Sequence, residues 1–169
     1  MVLAGLIEDQ CAHLDAFAGL RVGQIASLTI SDVVDSERRV RDQLRLNPAY
    51  TKGGVSRTVF MNKLLQREIR RYLDSLPALP APKAALLRSQ KGGQFSANSL
   101  CQLFAELYRR AGIAGASSHS GRRGFITKLA HSGISAKVIM QLAGHKHLGT
   151  TQRYIGVNDE MKRAAVEIL

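Results

Sequence analysis

Cysteine is scarce in this chain of 169 residues: Cys11 and Cys101 stand far apart and form no Cys-x-x-Cys pair. A disulfide framework and a structural zinc site are not expected, and two reduced thiols of a cytosolic protein are. No apolar stretch approaches the roughly 20 residues that a helix needs to cross a bilayer. Met1 to Asp15 has no basic leading segment and already carries Glu8, Asp9 and Asp15, so it lacks the pattern of a secretory leader. Internal repeats and low-complexity tracts are missing. The one loop of linker-like composition, Pro77 to Lys83, is too short to divide the chain.

The most consequential shortage is of acid. Lys and Arg total 24 against 13 Asp and Glu, a formal net charge of +11. From Leu107 to Asn158 there is no Asp or Glu at all. The same stretch holds Arg109, Arg110, Arg122, Arg123, Lys128, Lys137, Lys146 and Arg153, with His119, His131, His145 and His147. A solvated helix face normally mixes both signs. One sign sustained through an apolar-rich segment points to a folded surface built against a polyanion, nucleic acid before a membrane surface. The segment also offers no carboxylate cluster to hold a divalent metal.

Apolar residues make up 45% of the chain, enough for one domain with a real core. Val2 to Phe17 reads as a helix with Leu3, Leu6, Ile7, Cys11 and Leu14 on one stripe. Gly19 interrupts it, and Arg21 to Leu28 resumes the helical pattern. Val33 to Leu46 reads as a strand, a turn near Asp35 to Glu37, and a second strand. Ser56 to Met61 reads as a third strand, after a turn over Tyr50 to Gly54. Lys63 to Leu76 predicts an amphipathic helix with Leu64, Leu65, Ile69, Tyr72, Leu73 and Leu76 inward. A short strand is expected at Leu86 and Leu87. Ser99 to Ala111 predicts a helix with Ser96 or Asn98 as its cap and Gly112 as its stop. Ser120 to His131, Ser135 to Ala143, Thr150 to Ile155 and Asn158 to Ile168 predict four more. The expected class is mainly α with a small antiparallel β-sheet, an α+β fold.

Four segments carry the chemistry. They are Ala18-Gly-Leu-Arg-Val-Gly-Gln-Ile-Ala-Ser-Leu28, Thr51-Lys-Gly-Gly-Val-Ser-Arg-Thr-Val59, His119-Ser-Gly-Arg-Arg-Gly-Phe125 and Leu142-Ala-Gly-His-Lys-His-Leu-Gly-Thr-Thr-Gln-Arg-Tyr154. Arg21 and Arg122 have the paired donors and permanent charge that a phosphoryl group in its transition state requires. His119 and His145 can donate to the same oxygens or hold a nucleophile. Tyr154 becomes a nucleophile when surrounding cations favour its phenolate, and Lys52 can protonate a leaving oxygen when neighbouring cations ease its proton off. Taken singly, each residue has a plainer reading: a core tyrosine, a helix-end cation, a loop histidine, a solvated turn lysine. His145-Lys-His147 lacks a third ligand nearby and is a weak metal signal.

In order and spacing these segments resemble the tyrosine recombinase family, also called phage integrases. That family places an Arg after a Gly-x turn at a helix start, a Lys on a β-hairpin, a His-x-x-Arg, a Gly-His and then a Tyr. The six positions are filled here by Arg21, Lys52, His119, Arg122, His145 and Tyr154, from near Gly19 to the end of the fourth segment. The resemblance implies a catalytic-domain fold over residues 1–169, without the family's N-terminal DNA-clamping domain. It implies a site-specific recombinase in which Tyr154 forms a 3′-phosphotyrosyl bond with DNA, needing neither ATP, metal nor another cofactor. The implied partners are double-stranded DNA and other protomers of the same chain in a tetrameric synapse, in a prokaryotic cytoplasm near the nucleoid. Arg57, Arg123, Lys146 and Arg153 are the expected further DNA contacts. An apolar face on the last helix, Met161, Ala164, Ala165 and Ile168, either packs on its own domain or, as the resemblance implies, docks on a neighbouring protomer.

Three positions depart from the family. Gln24 stands where an acid often follows the first Arg. Ser120-Gly121 replaces Asp-Leu, with Ser120 still able to cap its helix. Arg123 replaces a His. Gln24 keeps open a second reading, a DNA-binding accessory of the same fold that no longer cuts. A type IB topoisomerase shares the catalytic logic, but the chain's small size and the spacing from Gly-His to Tyr favour the recombinase.

Overall fold

The longest apolar stripe forms the first helix of this computed structural model, which describes residues 2–47, 56–89, 92–157 and 159–167. α1 (Val2–Ala18) buries Cys11, Leu14 and Ala18. The chain turns at Gly19 into α2 (Val22–Ser27), whose Ile25 is fully buried. α4 (Lys63–Asp74) is capped by Asn62, whose side chain accepts from the Leu65 N–H at 2.8 Å. It buries Leu65, Ile69, Tyr72 and Leu73. Leu64, expected inward, is 36% exposed, because the buried arc of α4 runs one residue to its C-terminal side. α5 (Ala97–Arg110) takes Ser96 as its cap, with Oγ accepting from the Ser99 N–H at 3.0 Å.

The sheet is smaller than expected. β1 (Gln43–Leu46) and β2 (Arg57–Phe60) pair antiparallel, Leu44 opposite Val59 and Leu46 opposite Arg57. The strand expected from Val33 is replaced by a short helix, α3 (Ile30–Val33), and a single bridge between Val34 and Val40. Side-chain chemistry explains the change. Asp32 accepts from both the Thr29 N–H and the Thr29 hydroxyl at 2.8 Å, closing a cap that starts a helix. Asp35 then accepts from the N–H groups of Glu37 and Arg39, forming a tight turn that uses up the backbone an extended ladder would need. The strand expected at Leu86 and Leu87 is likewise one bridge, Ala85 to Thr29, with the Leu86 N–H on the Leu28 carbonyl at 2.8 Å. The expected turn over Tyr50 to Gly54 lies outside the described residues.

α6 (Ser120–His131), α7 (Ala136–Ala143) and α8 (Leu148–Gln152) follow, then α9 (Asp159–Val166). α8 begins and ends earlier than its pattern predicts, so Tyr154 falls in the turn after it, its N–H on the Thr151 carbonyl at 3.0 Å. On α9 the Ala165 side chain is exposed; Asn158, Ile168 and the side chains of Met161 and Ala164 lie outside what is described.

Two hydrophobic clusters result. The larger gathers Leu14, Ile25, Leu44, Leu65, Leu86, Leu100 and Phe104 from α1 through α5. The smaller is Ile126, Ala130, Ile139 and Ala143, with Phe125, Leu129, Tyr154 and Ile155 packed on it. α6 lies against α1 and joins the two. No described helix is long and apolar enough to cross a membrane.

Candidate functional site

Arg21 stands at the N-cap of α2 in extended backbone (φ −77°, ψ 150°). An arginine offers no acceptor to the exposed N–H groups of that helix. Gln24 serves the turn from the other direction: buried at 2% exposure, its Oε1 accepts from the Arg21 N–H at 3.0 Å. A neutral amide thus anchors the Arg21 backbone where the family often has an acid, but contributes no charge. The Arg21 guanidinium reaches across to donate to the Gly144 carbonyl at 3.5 Å. Burial lowers its pKa, opposed by the Tyr154 hydroxyl nearby.

Arg122 lies in the first turn of α6, 6% exposed. One arm donates to the Gly19 carbonyl and the other to the Ala143 carbonyl at 2.5 Å, so one guanidinium ties α1, α6 and α7 together. Burial and the charges of Arg21 and Arg57 push it down to about 9, still a cation at neutral pH. An acid that none of the four motif segments contains stands close to Arg122. Asp15, on α1 and 1% exposed, lies against the first turn of α6. Burial raises its pKa to about 6, against the pull of the Arg122 and Gly121 N–H groups and of the Arg122 charge. Gly121 makes that approach possible, since a Cβ there would lie 2.7 Å from the Asp15 carboxyl carbon. Ser120 does not cap α6: its Oγ accepts instead from the Ser117 N–H at 2.9 Å and from Arg123 at 3.0 Å. The helix start faces the Asp15 carboxylate, the sign its dipole favours.

α7 ends at Gly144 in the left-handed region (φ 62°), and the turn delivers His145. His145 Nδ1 sits 2.9 Å from the hydroxyl of the fully buried Thr151. Its ring stacks on Tyr154 with centroids 5.9 Å apart and planes 21° from parallel. Burial first, then the charges of Arg122, Arg21 and Arg57, push His145 down to about 4, so it is neutral at pH 7. A neutral imidazole keeps one N–H, and the Thr151 contact leaves Nε2 for another partner.

Arg21, Arg122, His145 and Tyr154 are therefore brought together, as the motifs predict. His119 is exposed at the N-cap of α6 and makes no hydrogen bond to those four among the described residues. Lys52 lies outside the described residues. Arg123, Lys146 and Arg153 are exposed, as a DNA-contacting role requires. Arg57 is different: the strand turns it inward on the same side as Val59, and it packs against Gly144, where a Cβ would lie 2.6 Å from its Cδ. Among the described residues no carboxylate forms an ion pair with Arg21, Arg57 or Arg122; the ion pairs lie elsewhere, as between Arg109 and Glu106 or Arg39 and Asp35. Such a group of cations around a phenol has the donors and the charge that a phosphate requires.

The chain is 31% identical over 154 residues to the tyrosine recombinase XerA of Pyrococcus horikoshii, covering 89% of this chain and 50% of that protein. It is 30% identical over 148 residues to the tyrosine recombinase XerD of Corynebacterium glutamicum, covering 86% of this chain and 46% of that protein. The chain thus spans about half the length of these curated relatives. Among solved structures it matches XerA recombinase with a TM-score of 0.77 at 24% identity, over 96% of this chain and 56% of that one. XerH site-specific recombinase bound to a palindromic difH substrate matches with a TM-score of 0.77 at 18% identity, over 99% of this chain and 47% of that one. Both likenesses show the tyrosine recombinase catalytic-domain fold. The description "Phage integrase family" matches residues 8–161, and the chain belongs to that family.

Proposed function

We propose that this chain is the catalytic part of a site-specific recombinase that breaks and rejoins DNA through Tyr154. The observation that carries the reading is Tyr154 stacked on His145 beside Arg21 and Arg122, with no carboxylate paired to either arginine among the described residues. Tyr154 loses its phenolic proton to solvent, and the phenolate oxygen bonds to the scissile phosphorus as the bond to the 5′ oxygen breaks. Lys52 gives that oxygen its proton, leaving a 3′-phosphotyrosyl ester and a free 5′ hydroxyl. A 5′ hydroxyl from a partner strand reverses the step, and the ester conserves the bond energy, so no nucleotide triphosphate is consumed. Arg21 and Arg122 neutralise the charge that builds on the phosphoryl oxygens. His145 adds a neutral donor, and His119, three residues before Arg122 and so on its helix face, adds another. Arg123, Lys146 and Arg153 hold the duplex backbone, and further protomers on the same DNA supply the second pair of strands.

A nicked suicide duplex from the DNA flanking the gene tests this. Tyr154→Phe removes one oxygen and should leave fold and DNA affinity nearly unchanged while abolishing covalent adducts. Adducts that persist in the Phe variant would rule out Tyr154 as the nucleophile. A wild-type chain that binds the duplex but never forms an adduct would favour the accessory role.

A further inference from the structure

Among the described residues, Arg57 is the one cation of the cluster whose guanidinium is buried with nothing to donate to. β2 alternates, so a residue two before the buried Val59 faces inward. All three of its guanidinium nitrogens are buried, and none has a hydrogen-bond partner among the described residues. The charges around it have its own sign. Arg21 adds to the burial that pushes Arg57 down to about 10, and Arg57 in turn weighs on Arg122 and His145. Arg21 and Arg122 at least donate to the carbonyls of Gly144, Gly19 and Ala143. Arg57 lies on the same turn, pressed against the Gly144 backbone, and donates to none of them. A desolvated cation without a partner is strongly unfavourable. Its place, against the turn that carries His145 and beside the two clamp arginines, matches a missing anion.

We infer that Arg57 is a third guanidinium of the phosphate pocket, unpaired in the free protein and paired only when a DNA phosphodiester occupies the cluster. The inference rests on the proposed cleavage chemistry and adds a residue to it. It also sets Arg57 apart from the exposed Arg123, Lys146 and Arg153, which track the duplex from outside.

The test uses two variants of the chain. Arg57→Met keeps the length and the apolar stem and deletes the charge. Without DNA its melting temperature should rise above wild type, because an unpaired buried charge has been removed. The stabilisation gained on adding a generic duplex should shrink. Adduct formation on the nicked duplex should fall by about 10²–10³, the loss expected for one donor to a developing oxyanion. Arg57→Lys keeps the charge but not the planar fork, and should cleave at a rate between the two. A Met variant that melts below wild type, or that cleaves at the wild-type rate, overturns the inference, since a merely structural arginine predicts the first and a spectator the second. The two readings fail differently. No adduct from the wild type defeats the cleavage chemistry whatever the melting temperatures, while wild-type adducts with an unstabilised Met variant defeat only the role of Arg57.

Discussion

The two hydrophobic clusters differ in kind as well as in size. The α1–α5 cluster is a continuous core with Phe104, Leu14, Leu65 and Leu100 under 2% exposed, and many of its surface arginines face carboxylates, as Arg110 faces Glu8 at 2.7 Å. The α6–α8 cluster has four buried residues, and it lies within the acid-free stretch from Leu107 to Asn158. It leaves Ile134, Val138 and Leu148 partly exposed, at 38%, 44% and 39%. Burial stabilises by about 25 cal/mol per Å² of apolar surface, so the second region is held by little of its own. It depends on α1, through Arg122 bonded to Gly19 and Asp15 against the start of α6. Four of the groups proposed to act on DNA sit where these regions meet. A site assembled between a firm core and a weak one can shift one of its residues without unfolding its scaffold.

The comparison breaks most sharply in the cores. Phe104→Ala should cost about 3–5 kcal/mol and speed amide exchange in every helix. Ile126→Ala should cost about 2–4 kcal/mol and speed exchange in α6 to α8 alone. Equal protection loss across the chain in the Ile126 variant would show one cooperative unit instead of two.

A smaller effect is expected at the turn between them. Gly144→Ala meets two penalties, a left-handed backbone and a collision with Arg57, together about 1–3 kcal/mol. Removing the collision partner should recover part of this, so in chemical denaturation Gly144→Ala should cost less in an Arg57→Ala background than alone. Additive losses would mean the arginine moves aside freely.

The smallest effect concerns pH. Asp15 has its pKa raised to about 6, so the folded chain holds a proton more tightly there. Its contribution is therefore present at low pH and is lost as pH rises from about 4 through 6. His145 has its pKa lowered to about 4, so its contribution is present above the usual histidine range and is lost as pH falls through 4. The two slopes oppose each other over the same window. Asp15→Asn removes one of them, and thermal melts should show the variant losing about 1 kcal/mol more than wild type between pH 7 and pH 5. Parallel curves would show that Asp15 titrates normally.

Much of this was legible in the chain itself. Periodicity located α1, α4, α5, α6 and α7, because an amphipathic stripe is a local property of spacing. The motifs picked out Arg21, Arg122, His145 and Tyr154, because the chemistry of a phosphate demands those residue types. Strand parity could also have shown Arg57 to face inward, since Val59 and Met61 share its side and are buried. The missing strand at Val33 was harder, because the Asp32 and Asp35 side chains compete with the ladder and compete well only once Thr29 and Arg39 are placed beside them.

Composition, periodicity and motif order by themselves determined the class, the family resemblance and the candidates for the reacting groups. Tertiary structure alone decided their environment. Asp15 and Gly121 are 106 positions apart, yet the absent side chain of one makes room for the carboxylate of the other. Arg122 and Gly19 meet across 103 positions, and Arg57 reaches the turn at Gly144. Burial and neighbouring charges set the charge state of each such group, and both depend on which distant segments fold against it.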